Sequence, residues 1–543
     1  MKCDAIGYVN GEKTMELVSA WQMQQMDKKT IRDFGIPGMV LMESAGRGAT
    51  RILLEAFGGL SGRLVGIMAG RGNNGGDGFV MARYLACHQI PVVVYLLGDM
   101  TAVQGDARTN LEILSRMDVP IIEIRDQKDL LKHKSAMTHR DIWVDAIFGT
   151  GLNAEVTGFY RLVIEFINKL EKPVLSVDIP SGLHPDTGQA LGVCIKAHVT
   201  ATFAYAKTGM LLYPGADYAG RIEIVDIGIP PHIVREALIF NHLSTPDMIH
   251  DLYRIRPSDS HKGTAGHLLV VAGSRGKSGA AALCAEAAMR IGAGLVTLGI
   301  PESLDPVLET LLKEVMTLPL SESRGGVLAK SSLEEIRRAL TGKQGLVLGP
   351  GLGLDSQTVA VVHALLRECP VPVVLDADAL NSMEGHTGRL KDMATDSVLT
   401  PHPREMARLT GKTVEEIQKD RLGIAQAFAE KFKVHLVLKG ARTVVAHPDG
   451  SAYINPTGNP LLASGGTGDV LTGMIAGLIC QGYEAAHAAR MGVYLHGAVA
   501  DMLAKERGPV GVLASELAVG IPRIMAMTAA CLLPPLPFIA HRL

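Results

Sequence analysis

Short apolar runs that end in glycine, proline or aspartate recur along the chain with helix-length segments between them, and few folds accept that pattern. In the first half the runs are RLVGIMAG, PVVVYLLGD, DIWVDAIFG, PVLSVDIPSG, VTATFAY and RIEIVDIGIP, with stretches such as GDARTNLEILSRM and FYRLVIEFINKL between several of them. Strand candidates at βα spacing predict a mostly parallel, doubly wound sheet. Ahead of the first strand, the segment from Met15 to Phe57 reads as two helices interrupted at FGIPG. After IPPHIVREALIFNHLSTPDM the pattern restarts with HLLVVAG, GLVTLGIP, GLVLGPG, VPVVLDAD, SVLTPH and VHLVLKG. The fold class is therefore α/β, with two doubly wound units and a linker at residues 236–250.

Length supports the same division, since 543 residues exceed one ordinary α/β core. A net charge of −2 offers no basic face for nucleic acid, so an anionic ligand must be held by local dipoles and a few placed cations. No run approaches ~20 uninterrupted apolar residues and the start, MKCDAIGYVNGEK, lacks the apolar region of a signal peptide. A soluble, cytoplasmic protein without membrane contact is expected. The seven cysteines stand singly, which fits reduced thiols better than disulfides or zinc, and Cys87 and Cys284 fall in apolar helical runs expected in the core. The proline-broken end, CLLPPLPFIAHRL, reads as a packed or frayed tail.

Three strand ends in the first unit carry polar residues. The string Gly70-Arg71-Gly72-Asn73-Asn74-Gly75-Gly76-Asp77-Gly78 is a glycine-rich strand-to-helix turn, whose main-chain N–H groups and helix dipole suit a nucleotide phosphate; the plainer reading is a tight structural turn. Asp145 and Asp178 end the runs DIWVDAIFG and PVLSVDIPSG, where ligands of a parallel sheet collect, although each alone also suits a cap or an Asx turn. Asn74, Asp145 and Ser181 are hard oxygen ligands for a cation, and Asp178 remains for proton transfer. Lys207, at another strand end, is a phosphate partner or, more simply, a solvated side chain.

In the second unit Asn459 to Val470, NPLLASGGTGDV, opens a helix. Its Gly-Gly-Thr-Gly turn suits a transferring phosphate, and Asp469 follows where a base reaches a substrate hydroxyl. Lys439-Gly440-Ala441-Arg442-Thr443, Gly349 to Gly353, and Thr400-Pro401-His402-Pro403 end other strands. His402 is a packed histidine or a substrate contact, and Asp376 and Asp378 are either site carboxylates or helix caps.

The Asn73–Asp77 core with DAIFGTG, VDIPSGL and LMESAGR resembles the NAD(P)H-hydrate epimerase family over residues 14–235. HKGTAGHLLVVAGS, LGPGLG, LDADALN, LTPHP and SGGTGDVL, in that order, resemble the ADP- or ATP-dependent NAD(P)H-hydrate dehydratases of the ribokinase-like superfamily over residues 251–530. The resemblance implies a Rossmann-like N-terminal domain and a ribokinase-like C-terminal one. It implies that Asn73, Asn74, Gly75, Gly76 and Asp77, with Gly149, Thr150, Gly151, Leu152, Asn153, Ala154 and Glu155, hold the hydrated cofactor, while Asn74, Asp145 and Ser181 bind potassium. Asp178 then touches the reacting carbon. In the second domain it implies Gly351 and His402 on the hydrated nicotinamide nucleotide. It places Lys439, Gly440, Ala441, Arg442, Thr443, Asn459, Ser464, Gly465, Gly466, Thr467 and Gly468 on ADP or ATP with magnesium, and Asp469 at the substrate hydroxyl. Lys277 and Arg404 depart from the expected pattern. A homo-oligomer is also implied. The other reading of the same residues is a ribokinase-like small-molecule kinase with a non-catalytic N-terminal binding module.

Overall fold

The protein, seen in a computed structural model, is described at residues 7–9, 12–58 and 60–542, so Cys3 and the start MKCDAI lie outside the described residues. Glu16–Asn241 with Leu536–Leu543 form one compact unit, and His242–Pro535 with Gly7–Met15 form the other. Both are mixed α/β.

The first unit opens with the two expected helices. Ala20–Arg32 starts at Ser19, whose side chain accepts from the Gln22 N–H while Gln22 reaches back, a reciprocal cap that satisfies two orphan donors. The FGIPG break puts Gly35 at φ 90°, and Gly38–Phe57 begins after Pro37. The sheet then runs, edge to edge, Ile539–Arg542, Arg221–Val225, Val199–Phe203, Val174–Val177, Ile142–Ala146, Val65–Ala69, Val92–Leu96 and Ile121–Glu123. All these pairs are parallel. Val65–Ala69 and Ile142–Ala146 are buried at every residue, as strands covered by helices on both faces must be.

The Pro-rich tail differs from a loose end: past its prolines, Ile539–Arg542 pairs with Arg221–Val225, the Ile222 N–H donating to the Phe538 carbonyl at 2.7 Å. Once the last proline is passed, Ile539 to Arg542 have all their backbone donors available for a ladder.

In the second unit Met316–Leu320, Leu295–Pro301, His267–Val271, Gly345–Leu348, Val373–Leu375, Ser397–Leu399 and His435–Leu438 are parallel in that order, and antiparallel Val444–Ala446 and Ala452–Ile454 extend the sheet. The stretch 236–250, expected as a linker, carries the strand Asn241–Leu243 and the start of the Thr245-capped helix Pro246–Leu252. Inside this unit the helix Thr467–Cys480 packs on Ser278–Ile291 through small residues, including Ala281, Cys284, Ala285 and Ala288.

Cys284 is buried as expected, but Cys87 is exposed. It is the last residue of the Asn73–Cys87 helix, and the helical phase turns Leu85 inward instead. Among the described residues no helix is long and apolar enough to cross a membrane.

Candidate functional sites

Chain order in the first sheet runs outward in both directions from the neighbours Val65–Ala69 and Ile142–Ala146, so the switch point lies between their carboxyl ends. A cavity of about 690 Å³ opens there. Its wall includes Asn73, Asn74 and Asp77 from the glycine-rich turn, Gly149, Thr150, Gly151 and Leu152 from the following loop, and Asp178 and Lys207. Gly75 and Gly76 shape that turn without lining the cavity. Asn153, Ala154 and Glu155 follow outside the wall and are exposed.

The turn owes its tightness to Gly75. A Cβ there would lie 1.9 Å from the Gly70 carbonyl oxygen, so the helix start rests directly on the strand end. Gly75→Ala is expected to cost about 1–3 kcal/mol of unit stability by overpacking. The forced shift of Asn73 and Asn74 should lower activity at this site about 10²-fold. Thermal unfolding and turnover of the one variant check both.

Asp145 is 2% exposed and accepts from Ser176 Oγ at 2.8 Å, the Ser181 N–H at 2.8 Å and Ser181 Oγ at 2.5 Å. Burial pushes its carboxyl up, opposed by these bonds. The Phe148 N–H donates to Ser181 Oγ, which ties the loop to the same group. Asn74 is 7% exposed, yet its Oδ1 and Nδ2 have no hydrogen-bond partner. An orphaned buried amide oxygen suits a hard cation, as do carboxylate and hydroxyl oxygens such as those of Asp145 and Ser181. Among the described residues no group of three or more His, Cys, Asp or Glu could hold a metal, so the donor set does not suit a transition metal.

Lys207 corrects the expectation of a solvated side chain: it is 0% exposed. Its ammonium pairs with Asp178 and donates to Thr202 Oγ1 at 2.9 Å and the Phe203 carbonyl at 3.1 Å. A buried lysine needs such a set of acceptors to stay charged. Asp178 itself sits at φ 65°, a left-handed conformation uncommon outside glycine, held by the following chain and by the Phe203 N–H on its Oδ1. Around this pair burial pushes the Asp77 carboxyl well up, with Asp178 and Asp27 adding to the rise. Asp27, on the leading helix, has no motif to announce it.

The second unit repeats the plan. Here the switch point lies between His267–Val271 and Gly345–Leu348, whose loops meet where the Gly273 N–H donates to the Pro350 carbonyl and Ser274 Oγ to that of Gly351. Gly466, at φ 90°, lets the turn open the Thr467–Cys480 helix. Ser464 and Gly465 are exposed at its tip. Asp469, one turn in, is half-buried. Burial and the neighbouring carboxylates, Asp376 first, push it up to about 7 against the pull of Lys439.

Lys439 is the hub of this cluster. It pairs with Asp376 at 2.7 Å and lies 4.0 Å from Glu405. Burial works against its ammonium, but Asp376 and Glu405 outweigh that and hold its pKa above the usual value. Asp376 also accepts from Thr472 Oγ1 at 2.8 Å, and Asp378 binds Lys277 at 2.9 Å and the Gly353 N–H at 2.8 Å. Neither aspartate caps the short helix Asp378–Asn381, whose N-cap is Ala377 and whose first residue is Asp378 itself. Lys277, a departure in sequence, is thus engaged at the site, whereas Arg404 is exposed. His402 caps the Pro403–Thr410 helix through Nδ1, its Nε2 lying 3.3 Å from Glu405.

Some expected nucleotide contacts are committed elsewhere. Asn459 donates to Asp501 and accepts from Leu461 N–H, Arg442 donates to the Pro456 carbonyl, and Thr443 to that of Gly440. Sequence reasoning missed Asp27, Glu405, Thr472 and His496. The last is buried against the Thr467 backbone and burial lowers its pKa to about 4, so it is neutral behind the Gly-Gly-Thr-Gly turn.

Comparison with known proteins agrees with this geometry. A family profile described as YjeF-related protein N-terminus matches residues 38–209, and one described as NAD(P)H-hydrate dehydratase matches 268–523. The bifunctional NAD(P)H-hydrate repair enzyme Nnr of Moorella thermoacetica is 43% identical over 94% of this chain and 97% of its own. That of Thermofilum pendens is 37% identical over 94% and 96%. A solved Bacillus subtilis ADP/ATP-dependent NAD(P)H-hydrate dehydratase, co-crystallised with ATP/Mg2+, is 34% identical over 53% of this chain and 98% of its own, with a TM-score of 0.45.

Two strand-end sites, one rich in coupled carboxyls and one built on a Gly-Gly-Thr-Gly-Asp turn, define a two-site α/β enzyme of nucleotide chemistry. The chain belongs to the family of bifunctional NAD(P)H-hydrate repair enzymes, with an epimerase unit and a dehydratase unit.

Proposed function

We propose that the first unit interconverts the R and S forms of hydrated NADH or NADPH and that the second dehydrates the S form at the expense of ADP or ATP. The observation that carries this reading is the pairing, in one chain, of the Asp178–Lys207 cavity with the Asp469 turn. The hydrated ring carries its hydroxyl on the carbon next to nitrogen. In the first site the nitrogen lone pair expels that hydroxyl, and water returns to the opposite face. Asp178 takes part as a proton carrier and steadies the cationic ring.

Asn74, Asp145 and Ser181 would hold potassium, consistent with the orphaned Asn74 amide. The ion's contribution when bound is positive potential that ties the substrate turn to the strand ends. Exchange of potassium for tetramethylammonium is expected to lower both epimerisation and the melting temperature of the enzyme, and Asn74→Ala should abolish the response. An Asn74→Ala variant that still responds contradicts the assignment.

In the second site Asp469 takes the proton of the substrate hydroxyl, whose oxygen then attacks the terminal phosphate in line. Departure of phosphate from the ring carbon and loss of a ring proton restore the reduced nicotinamide. Lys439 and the Gly465–Gly468 turn steady the phosphates, and Gly351 and His402 contact the nicotinamide nucleotide. Magnesium would enter with the nucleotide, held mainly by phosphate oxygens and water, since no group of three carboxylates among the described residues is placed to hold it. A base must be ionised to act, so kcat/KM for dehydration is expected to rise with pH through about 7 and level off above it. A profile flat across that region contradicts the role of Asp469. We place the enzyme in the cytoplasm as a homo-oligomer. Incubating the pure S form with magnesium and either ADP or ATP tests the dehydratase reading: reduced-nicotinamide absorbance should return only with nucleotide.

A further inference from the structure

The first cavity holds a carboxyl that no sequence motif points to. Asp27 lies in the Ala20–Arg32 helix and lines the cavity with Asp77, Asp178 and Lys207, and its Oδ1 is buried without a hydrogen-bond partner. A buried carboxyl oxygen left open toward a ligand cavity is costly unless a ligand completes it.

We propose that Asp27 is the general acid of the epimerisation, working with Asp178 as the group that receives the second proton. The inference rests on the epimerase reading given above. The two carboxyls occupy unlike surroundings. Asp178 faces the Lys207 ammonium, and the three protons of that ammonium go to Asp178, Thr202 Oγ1 and the Phe203 carbonyl, which leaves none for Asp27. Burial pushes the Asp27 carboxyl up to about 6, with Lys207 pulling it down and Asp178 pushing it further up. Separated carboxyl environments are what divides an acid from a base in one site.

The charged groups acting on Asp27 are Lys207 and Asp178, and Asp77 feels Asp27 in turn. Arg71 and Asp106 complete the charged part of the wall. From the Pro231–Glu236 helix packed on the same element, Glu236 pairs with Lys29 and His232 lies on Phe34. Neither competes for Asp27.

The chemistry balances. The C6–O bond breaks with its electron pair on oxygen, the Asp27 proton joins that oxygen, and water leaves as the ring nitrogen lone pair forms C=N. Water then bonds to the other face of C6, and its proton passes to the Asp178 carboxylate. The reverse direction exchanges the two roles, and solvent restores both carboxyls.

The test is epimerisation of the pure R form by the full-length enzyme across acid to alkaline pH. The wild type is expected to lose kcat above about pH 6, and Asp27→Asn is expected to lower kcat about 10²-fold with KM unchanged and to remove that fall. Asp27→Glu should restore part of the rate together with that fall. A fully active Asp27→Asn enzyme overturns the inference, as does a slow one that keeps the wild-type pH profile, since that marks a structural role. A wild type that leaves the R form unchanged overturns the epimerase reading itself, an outcome distinct from either.

Discussion

Asp469→Asn is expected to lower nucleotide-dependent dehydration about 10³-fold while epimerisation proceeds at the wild-type rate. The size follows from the role: a positioned general base contributes roughly 10²–10⁴-fold, and an amide cannot accept the hydroxyl proton. The position supports a clean substitution. Asp469 lies half-buried in the first turn of a helix whose packing face is made by other residues, and its pKa is already raised to about 7 by burial and by Asp376, Glu405 and Asp378. Loss of one negative charge from that cluster relieves repulsion, so the variant should fold at least as well as the wild type. Single-turnover rates with the S form, beside an epimerisation assay on the same preparation, measure the split. Equal losses in both reactions contradict the assignment.

Lys207→Met should be the most disruptive single change in the first unit. It removes the one ammonium among Asp178, Asp77 and Asp27, and breaking a buried pair costs roughly 3–5 kcal/mol. Epimerisation is expected to fall about 10²-fold or more, because the Asp178 carboxylate loses the contact that orients it. The pH dependence has a definite sign. Asp27 and Asp77 have folded pKa values above the unfolded value of 3.8, so they favour the folded state below that value and the benefit is lost as pH rises through the folded pKa, about 6 for Asp27. Without Lys207 these carboxyls shift further up. The variant should therefore be closest to the wild type in acid and least stable on the alkaline side, as thermal unfolding at several pH values will show. A deficit that grows in acid contradicts the charge argument.

The strands and the glycine turns were legible because their signals are local: buried parallel strands are apolar throughout, and the turns carry Gly75 and Gly466 where the backbone demands them. The α/β class and the convergence of Asn74, Asp178 and the Gly149 loop on one cavity followed from those signals and the strand-end rule. The partnerships were not legible. Lys207 meets Asp178 across 29 residues and Lys439 meets Asp376 across 63, so each lysine looks solvated or ligand-directed until the sheet brings its partner in. Asp27 is hidden by helical periodicity, which marks Met23 and Met26 as core and leaves a polar neighbour undistinguished. The C-terminal strand is masked by its prolines, and Cys87 by a helix end that turns outward.

The central claim is that one chain both epimerises and dehydrates a damaged cofactor. An equal mixture of R and S hydrated cofactor, given magnesium and ADP or ATP, tests it most directly through reduced-nicotinamide absorbance. The account predicts complete recovery by the wild type and recovery of only the S half by the Asp178→Asn variant, apart from slow uncatalysed epimerisation. A stable phosphorylated product that accumulates without recovery of absorbance would contradict it.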